Sequence, residues 1–155
     1  MANLDQIDRQ LLSELQSEGR ITNVELAQRV GLTAPPCLRR VRSLEEDGII
    51  RGYHAELDAS KLGFTITVFA MVSLKSQAEE SLRAFEAAMH DLPEVREVHM
   101  LNGEIDFILK IVSRDLQSFQ EFLTSKLTPA PNVASVKTSL TIRTSKHEPG
   151  VPLEV

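Results

Sequence analysis

The apolar residues of this 155-residue chain change their period once, and that change governs what it can fold into. From Leu4 to Leu44 they recur every three or four residues, the spacing of one helix face; from Thr65 they alternate, the spacing of a strand. Two units of different class follow: a helical one over residues 1–50 and a mixed one over 65–145, joined by a linker strand over 51–64. The tail, 146–155, carries Pro149, Gly150 and Pro152 without a period and is expected to be loosely held.

In the first unit Leu4, Ile7, Leu11 and Leu15 make one stripe of a helix that ends near Gly19. Thr22 and, three residues on, Glu25 have the form of a capping box; the short helix behind them stops at Gly31. Thr33 is placed to cap a third helix, whose first turn tolerates Pro35 and Pro36 because backbone N–H groups there have no intrahelical acceptor. Leu38, Val41 and Leu44 are expected to face inward, with Cys37 packed beside them, and Gly48 suits a left-handed C-terminal cap. Residues 49–57 have the character of a short strand.

In the second unit Ile66, Val68, Ala70, Val72 and Leu74 share one face of a strand, while Phe69 and Met71 share the other. A helix through Leu82, Phe85, Met89 and Leu92 follows, then strands at 95–101 and 107–112 joined through Asn102-Gly103-Glu104-Ile105-Asp106. A helix through Leu116, Phe119, Leu123 and Leu127 and a last strand through Val136, Thr138, Leu140 and Ile142 complete it. The chain is therefore α+β: a winged-type helix-turn-helix, then a ferredoxin-like βαββαβ domain with both helices on one face of an antiparallel sheet. The other face, bearing Phe69 and Met71, is left for a second copy to cover.

Two short helices joined at Val30-Gly31-Leu32, the second opening on a small polar residue, fit a DNA-reading helix-turn-helix. Its reading stretch is Thr33, Ala34, Pro35, Pro36, Arg39, Arg40, Arg42 and Ser43. Residues 33–43 hold no acid, although the whole chain carries a net charge of -5, so the positive patch is local. An arginine fork can bond guanine or phosphate in bidentate fashion. Glu45, Glu46 and Asp47 would be repelled by phosphate, and Arg20 and Arg51 serve equally as phosphate contacts or surface charges.

Other function classes find little support. His54, His90, His99 and His147 are scattered, and no metal-ligand spacing, phosphate-binding glycine loop or nucleophile with a base stands out, so no enzyme, metal or cofactor is expected. One cysteine, no long apolar run and an acidic N-terminus fit a cytoplasmic protein without a membrane partner.

The stretch LDQIDRQLLSELQSEGRITNVELAQRVGL, followed by PCLRRVRSLEEDGII, resembles the N-terminal domain of the Lrp/AsnC family of regulators, and VHMLNGEIDFILK resembles the glycine-aspartate hairpin of that family's second domain. The resemblance implies sequence-specific regulation of transcription in a bacterial nucleoid, double-stranded DNA as partner, dimers that exchange strand contacts near the linker and assemble into octamers, and an amino acid effector bound between dimers. By position, Met100, Asn102, Gly103, Glu104, Asp106, Thr138, Ser139 and Leu140 would surround that effector. Gly103 would admit a ligand close to the backbone, and Glu104 or Asp106 would pair with an α-ammonium group. The same Asn-Gly pattern also serves as an ordinary hairpin turn with Asp106 completing it. The alternative functional reading is an amino-acid-binding or architectural DNA-associated protein without sequence-specific regulation.

Overall fold

The computed structural model describes residues 4–154 and divides the chain into two units, Met1–Glu56 with Lys146–Val155, and Leu57–Ser145.

The first unit is built on three helices, α1 (Gln6–Ser17), α2 (Asn23–Arg29) and α3 (Ala34–Glu46). Leu11, Leu26, Ala27, Cys37, Val41 and Leu44 are buried at their junction, because each helix offers one apolar stripe too narrow to be buried alone. Local chemistry starts and stops each helix. Asp5 and Asp8 form a capping box at α1, the Asp8 N–H reaching Asp5 Oδ1 at 2.8 Å and the Asp5 N–H reaching Asp8 Oδ2 at 3.2 Å. Thr22 and Glu25 do the same at α2. Arg29 then ties α2 to α1 through Glu14 and Glu18, each at 2.8 Å. Gly48, at φ +70°, caps α3 in the left-handed region and turns the chain so that the Ile49 and Ile50 N–H groups both donate to the Leu44 carbonyl at 3.0 Å.

Two expectations for this unit are corrected and a third is refined. Cys37, not Leu38, faces inward with Val41 and Leu44; Leu38 is 39% exposed. Cys37, Val41 and Leu44 lie at helical spacing on one side of α3, in a core edged by Leu4, Ile7 and Leu12. The linker strand is not formed: 49–59 is irregular, because an extended segment becomes a strand only beside another, and none of the described residues pairs with it. The tail is irregular and mostly exposed as expected, but it is tied at one point: the Gln16 side-chain amide donates to the Val151 carbonyl at 2.8 Å and accepts from the Val151 N–H at 2.9 Å.

The second unit follows the βαββαβ order: β1 (Ile66–Leu74), α4 (Glu79–His90), β2 (Val95–Met100), β3 (Phe107–Ser113), α5 (Leu116–Phe122) and β4 (Val133–Leu140). The strands are antiparallel in the order β2-β3-β1-β4. Val68, Ala70, Val72, Phe107, Leu109 and Ile111 meet Phe85, Met89, Phe119, Phe122 and Leu127 of the helices. The Phe85 and Phe107 rings lie 4.8 Å apart at 41°. Phe122 joins Phe119 and Leu127 in the core, whereas Leu116, expected there, is exposed at the first turn of α5; the helix widens to π spacing beyond it, over Leu123–Leu127.

The opposite sheet face holds Phe69, 37% exposed, with half-buried Thr67, Met71, Ile108 and Val112. Phe69 opposes Lys110 and Ser139, while Met71 opposes Ile108 and Lys137. A Lys110–Glu97 ion pair at 2.8 Å borders this apolar strip and holds the Glu97 carboxyl below its ordinary value, with His99 assisting.

Candidate nucleic-acid interface and ligand loop

Two prolines shape the start of α3. Thr33 sits at the N-cap with an extended backbone, but its side chain makes no cap bond. An N-cap oxygen accepts from the second or third N–H of the helix, and those positions are Pro35 and Pro36, which have none. The expected Thr33 cap therefore does not form, and its exposed hydroxyl remains available to an outside group. Asn23, at the start of α2, donates from Nδ2 to the Ala34 carbonyl at 2.9 Å and fixes the angle at which α3 leaves the turn.

The three arginines of α3 separate into two kinds. Arg39 and Arg42 are exposed one turn apart on the outward face, with Pro35, Leu38, Ser43 and Glu46 around them. Arg40 points sideways, its Nη1 bonding Asp8 at 2.7 Å and Asp5 at 2.8 Å. The two carboxylates, Asp8 first, stabilise its charged form, and the Asp8 N–H and then Arg40 lower the Asp5 carboxyl below its ordinary value. Arg40 is thus committed to the α1 cap that precedes it by 32 to 35 residues, and the charge expected of it on the reading face is already matched. The D-x-x-D spacing before the first apolar stripe was the signal that could have revealed this pair. Cys37 is fully buried, and burial raises its thiol pKa, as packing rather than reactivity requires.

In the second unit, residues 102–105 form an irregular loop between β2 and β3. Asp106 closes it. Its carboxylate is 9% exposed and accepts from the Leu74 N–H at 2.7 Å and Gln77 Nε2 at 2.9 Å, while its own N–H donates to the Val72 carbonyl at 3.0 Å. Asp106 therefore holds the loop to the end of β1, and the free carboxylate expected of it is Glu104, which is exposed. Gly103 lies outside the left-handed region, and a Cβ there would meet no atom within 4 Å. Neither turn geometry nor packing within the chain requires glycine at this point.

The strand order keeps the remaining candidates apart. Met100 ends β2 and Thr138, Ser139 and Leu140 lie on β4, the two edges of the sheet, separated by roughly 14 Å across three strand spacings. Directly opposed residues share a face, so Thr138 and Leu140, opposite Ala70 and Val68, lie on the helix side, whereas Ser139, opposite Phe69, lies on the other. One chain does not gather the hairpin and β4 residues around a single small molecule.

Comparison with known proteins agrees with both units. Residues 4–51 match the winged helix-turn-helix DNA-binding family model and residues 67–151 the Lrp/AsnC ligand binding domain model. The chain is 56% identical over 143 residues to a leucine-responsive regulatory protein of Rhizobium meliloti, covering 92% of each. It is 40% identical over 153 residues to the Bkd operon transcriptional regulator of Pseudomonas aeruginosa, covering 99% of this chain and all of that one. Among solved structures, a transcriptional regulator of Neisseria meningitidis in complex with L-Met superposes with a TM-score of 0.92 at 35% identity, covering 97% of each chain.

Proposed function

The chain belongs to the Lrp/AsnC family of transcription regulators, and on that premise we propose that α3 reads operator DNA while an amino acid bound at the 102–105 loop sets the affinity. The family consists of regulators rather than enzymes. Arg39 and Arg42 reach base edges or phosphates, Thr33 and Ser43 bond phosphate, and Ala34, Pro35 and Pro36 lie close to the duplex. Arg40 stays on α1 and sets the pitch of the reading helix. The observation that carries this reading is the outward acid-free face from Thr33 to Arg42 on a chain of net charge -5, because only a local, oriented cation pair gives an acidic protein a preferred DNA-facing surface.

The effector is an amino acid, as the L-Met complex of the Neisseria regulator suggests. Asn102, Gly103 and Glu104 of one copy, with Met100, would take it together with Thr138 and Leu140 of another, since the two sets lie on opposite sheet edges of each chain, while Ser139 sits on the Phe69 face. A second copy covers Phe69 and Met71 to make a dimer, and dimers assemble further, up to an octamer, around the shared ligand. Work in the cytoplasm, on the bacterial nucleoid, follows from this role.

The test is a titration of amino acids, L-methionine and L-leucine first, against the parent and Gly103→Ala, with and without operator DNA. Gly103→Ala meets no atom of its own chain, so it should leave the melting temperature unchanged and weaken the ligand at least tenfold. Any ligand that alters DNA affinity must show its own affinity altered by the same factor when DNA is present. Amino acid binding that is equal in parent and variant would remove the loop from the site.

A further inference from the structure

Leu38 is an apolar residue of α3 that the core of the first unit does not take up. The inner face of α3 is filled by Cys37, Val41 and Leu44, all buried, and Leu38 stands outside that cluster, 39% exposed. It lies on the outward face beside Pro35, Arg39 and Arg42, the fifth residue of the helix, in the half that enters a major groove when a helix-turn-helix docks. What sets Leu38 apart from a scattered surface leucine is its place: it lines one shallow surface recess with Pro35, Arg39 and Arg42.

We propose that Leu38 is a base-reading residue whose side chain takes the C5-methyl group of a thymine. The inference rests on the DNA-reading role given to α3 above and specifies one of its contacts. The major groove offers protein side chains hydrogen-bonding edges at every base pair, but the thymine methyl is its apolar feature, and an apolar side chain distinguishes thymine by burying it. Charge complementarity selects DNA as the occupant: Arg39 and Arg42 line the same recess as Leu38, and residues 33–44 contain no acid. Pro35 and Pro36 strengthen the case from another direction. By removing two N–H donors from the first turn they leave the helix start with less to offer a phosphate, so this end approaches the groove through carbon atoms. Burying one methyl group against Leu38 amounts to about a fourfold gain in binding per half-site.

The test uses the full-length protein and a duplex that it selects from a random pool. Each thymine of the selected sequence is replaced in turn by deoxyuridine, which keeps every hydrogen-bonding group and deletes only the methyl. At one position per half-site the replacement should weaken binding about fourfold. Leu38→Ala, which retains helix propensity at an exposed site, should weaken the thymine duplex by a similar factor and lose the distinction between the two duplexes at that position only. Its circular dichroism and melting should match the parent, because the core is untouched. Selection of a defined sequence in which no thymine is sensitive, or a Leu38→Ala protein that still distinguishes the duplexes, would overturn the proposal while leaving α3 as the reader. Failure to select any sequence would overturn both.

Discussion

Replacing Asp106 separates a structural latch from a ligand contact. The carboxylate is buried and holds two donors, the Leu74 N–H and the Gln77 amide. Asp106→Ala removes both bonds and leaves the buried Leu74 N–H without a partner, whereas Gln77, which is exposed, can turn to water. A hydrogen bond to a charged acceptor is worth about 1.5–3 kcal/mol and an orphaned buried donor costs about 1–3 kcal/mol, two descriptions of much the same loss at Leu74, so the expected destabilisation is about 1.5–3 kcal/mol. Asp106→Asn keeps an oxygen for the Leu74 N–H, and Gln77 can reverse its own amide to accept from the new NH2, so it should cost only about 1 kcal/mol. Urea unfolding of the full chain at one protein concentration, followed by circular dichroism, should give midpoints in the order parent, Asn, Ala at constant slope. An Asp106→Ala protein that unfolds within about 0.5 kcal/mol of the parent while its amino acid affinity collapses would refute the latch, since the carboxylate would then serve the ligand and not the loop.

Three further outcomes follow from the same geometry. Arg39→Ala and Arg42→Ala should each lower the slope of log affinity against log salt by about 0.9 for every phosphate left unneutralised, while Arg40→Ala should leave that slope unchanged and lower the unfolding midpoint; an altered slope for Arg40→Ala would put it on the DNA. Phe69→Asp should reduce the mass seen by sedimentation equilibrium at micromolar concentration without loss of helix content, and an unchanged mass would exclude the Phe69 face as an interface. Tyr53 is the chain's one tyrosine and there is no tryptophan, so tyrosinate absorbance reports it alone. Burial, and then its 2.9 Å bond to Glu45, push its pKa up to about 12. The folded state prefers the protonated phenol, so this contribution to stability is complete below pH 10 and is lost as pH rises from 10 toward 12. A midpoint near 10 in protein still folded by circular dichroism would contradict it, and Glu45→Gln should bring the midpoint part of the way down.

What was legible in the sequence was what is decided within one turn or one strand. The Thr22–Glu25 box, the Gly48 cap and the alternation of Val68, Ala70 and Val72 depend only on neighbours, and each stands as expected. Arg40 and Asp106 look like surface chemistry in the sequence because their partners lie 29 to 35 residues away, a distance over which spacing carries no information. Hydropathy draws Leu38 inward, though a stripe through Cys37, Val41 and Leu44 fits helical spacing equally well, and spacing alone does not choose between them. The linker failed for another reason: β character is a property of side chains, but a strand requires a second backbone.

The assignment of Arg40 to α1 changes how the net charge of -5 bears on regulation. With Arg40 matched by two aspartates, each α3 presents two arginines rather than three that are unpaired among the described residues, and on the proposed reading a single copy of this net-acidic chain would hold DNA through few phosphates. Such a reader gains affinity chiefly by being joined to others, because the second helix then binds at the effective concentration set by the assembly. Weak individual reading makes the whole complex sensitive to geometry: a small change in the spacing of copies forfeits the joint term, whereas a strongly basic reader would stay bound. With the effector placed between copies as proposed, that placement and a modest hold of each copy on DNA would be two parts of one design, and strengthening the reader should blunt its response. Glu46→Lys, which adds a cation beside Arg42 on the outward face, should raise operator affinity and reduce the fold-change produced by the amino acid. If affinity rises and the fold-change is unaltered, coupling does not run through shared occupancy of DNA.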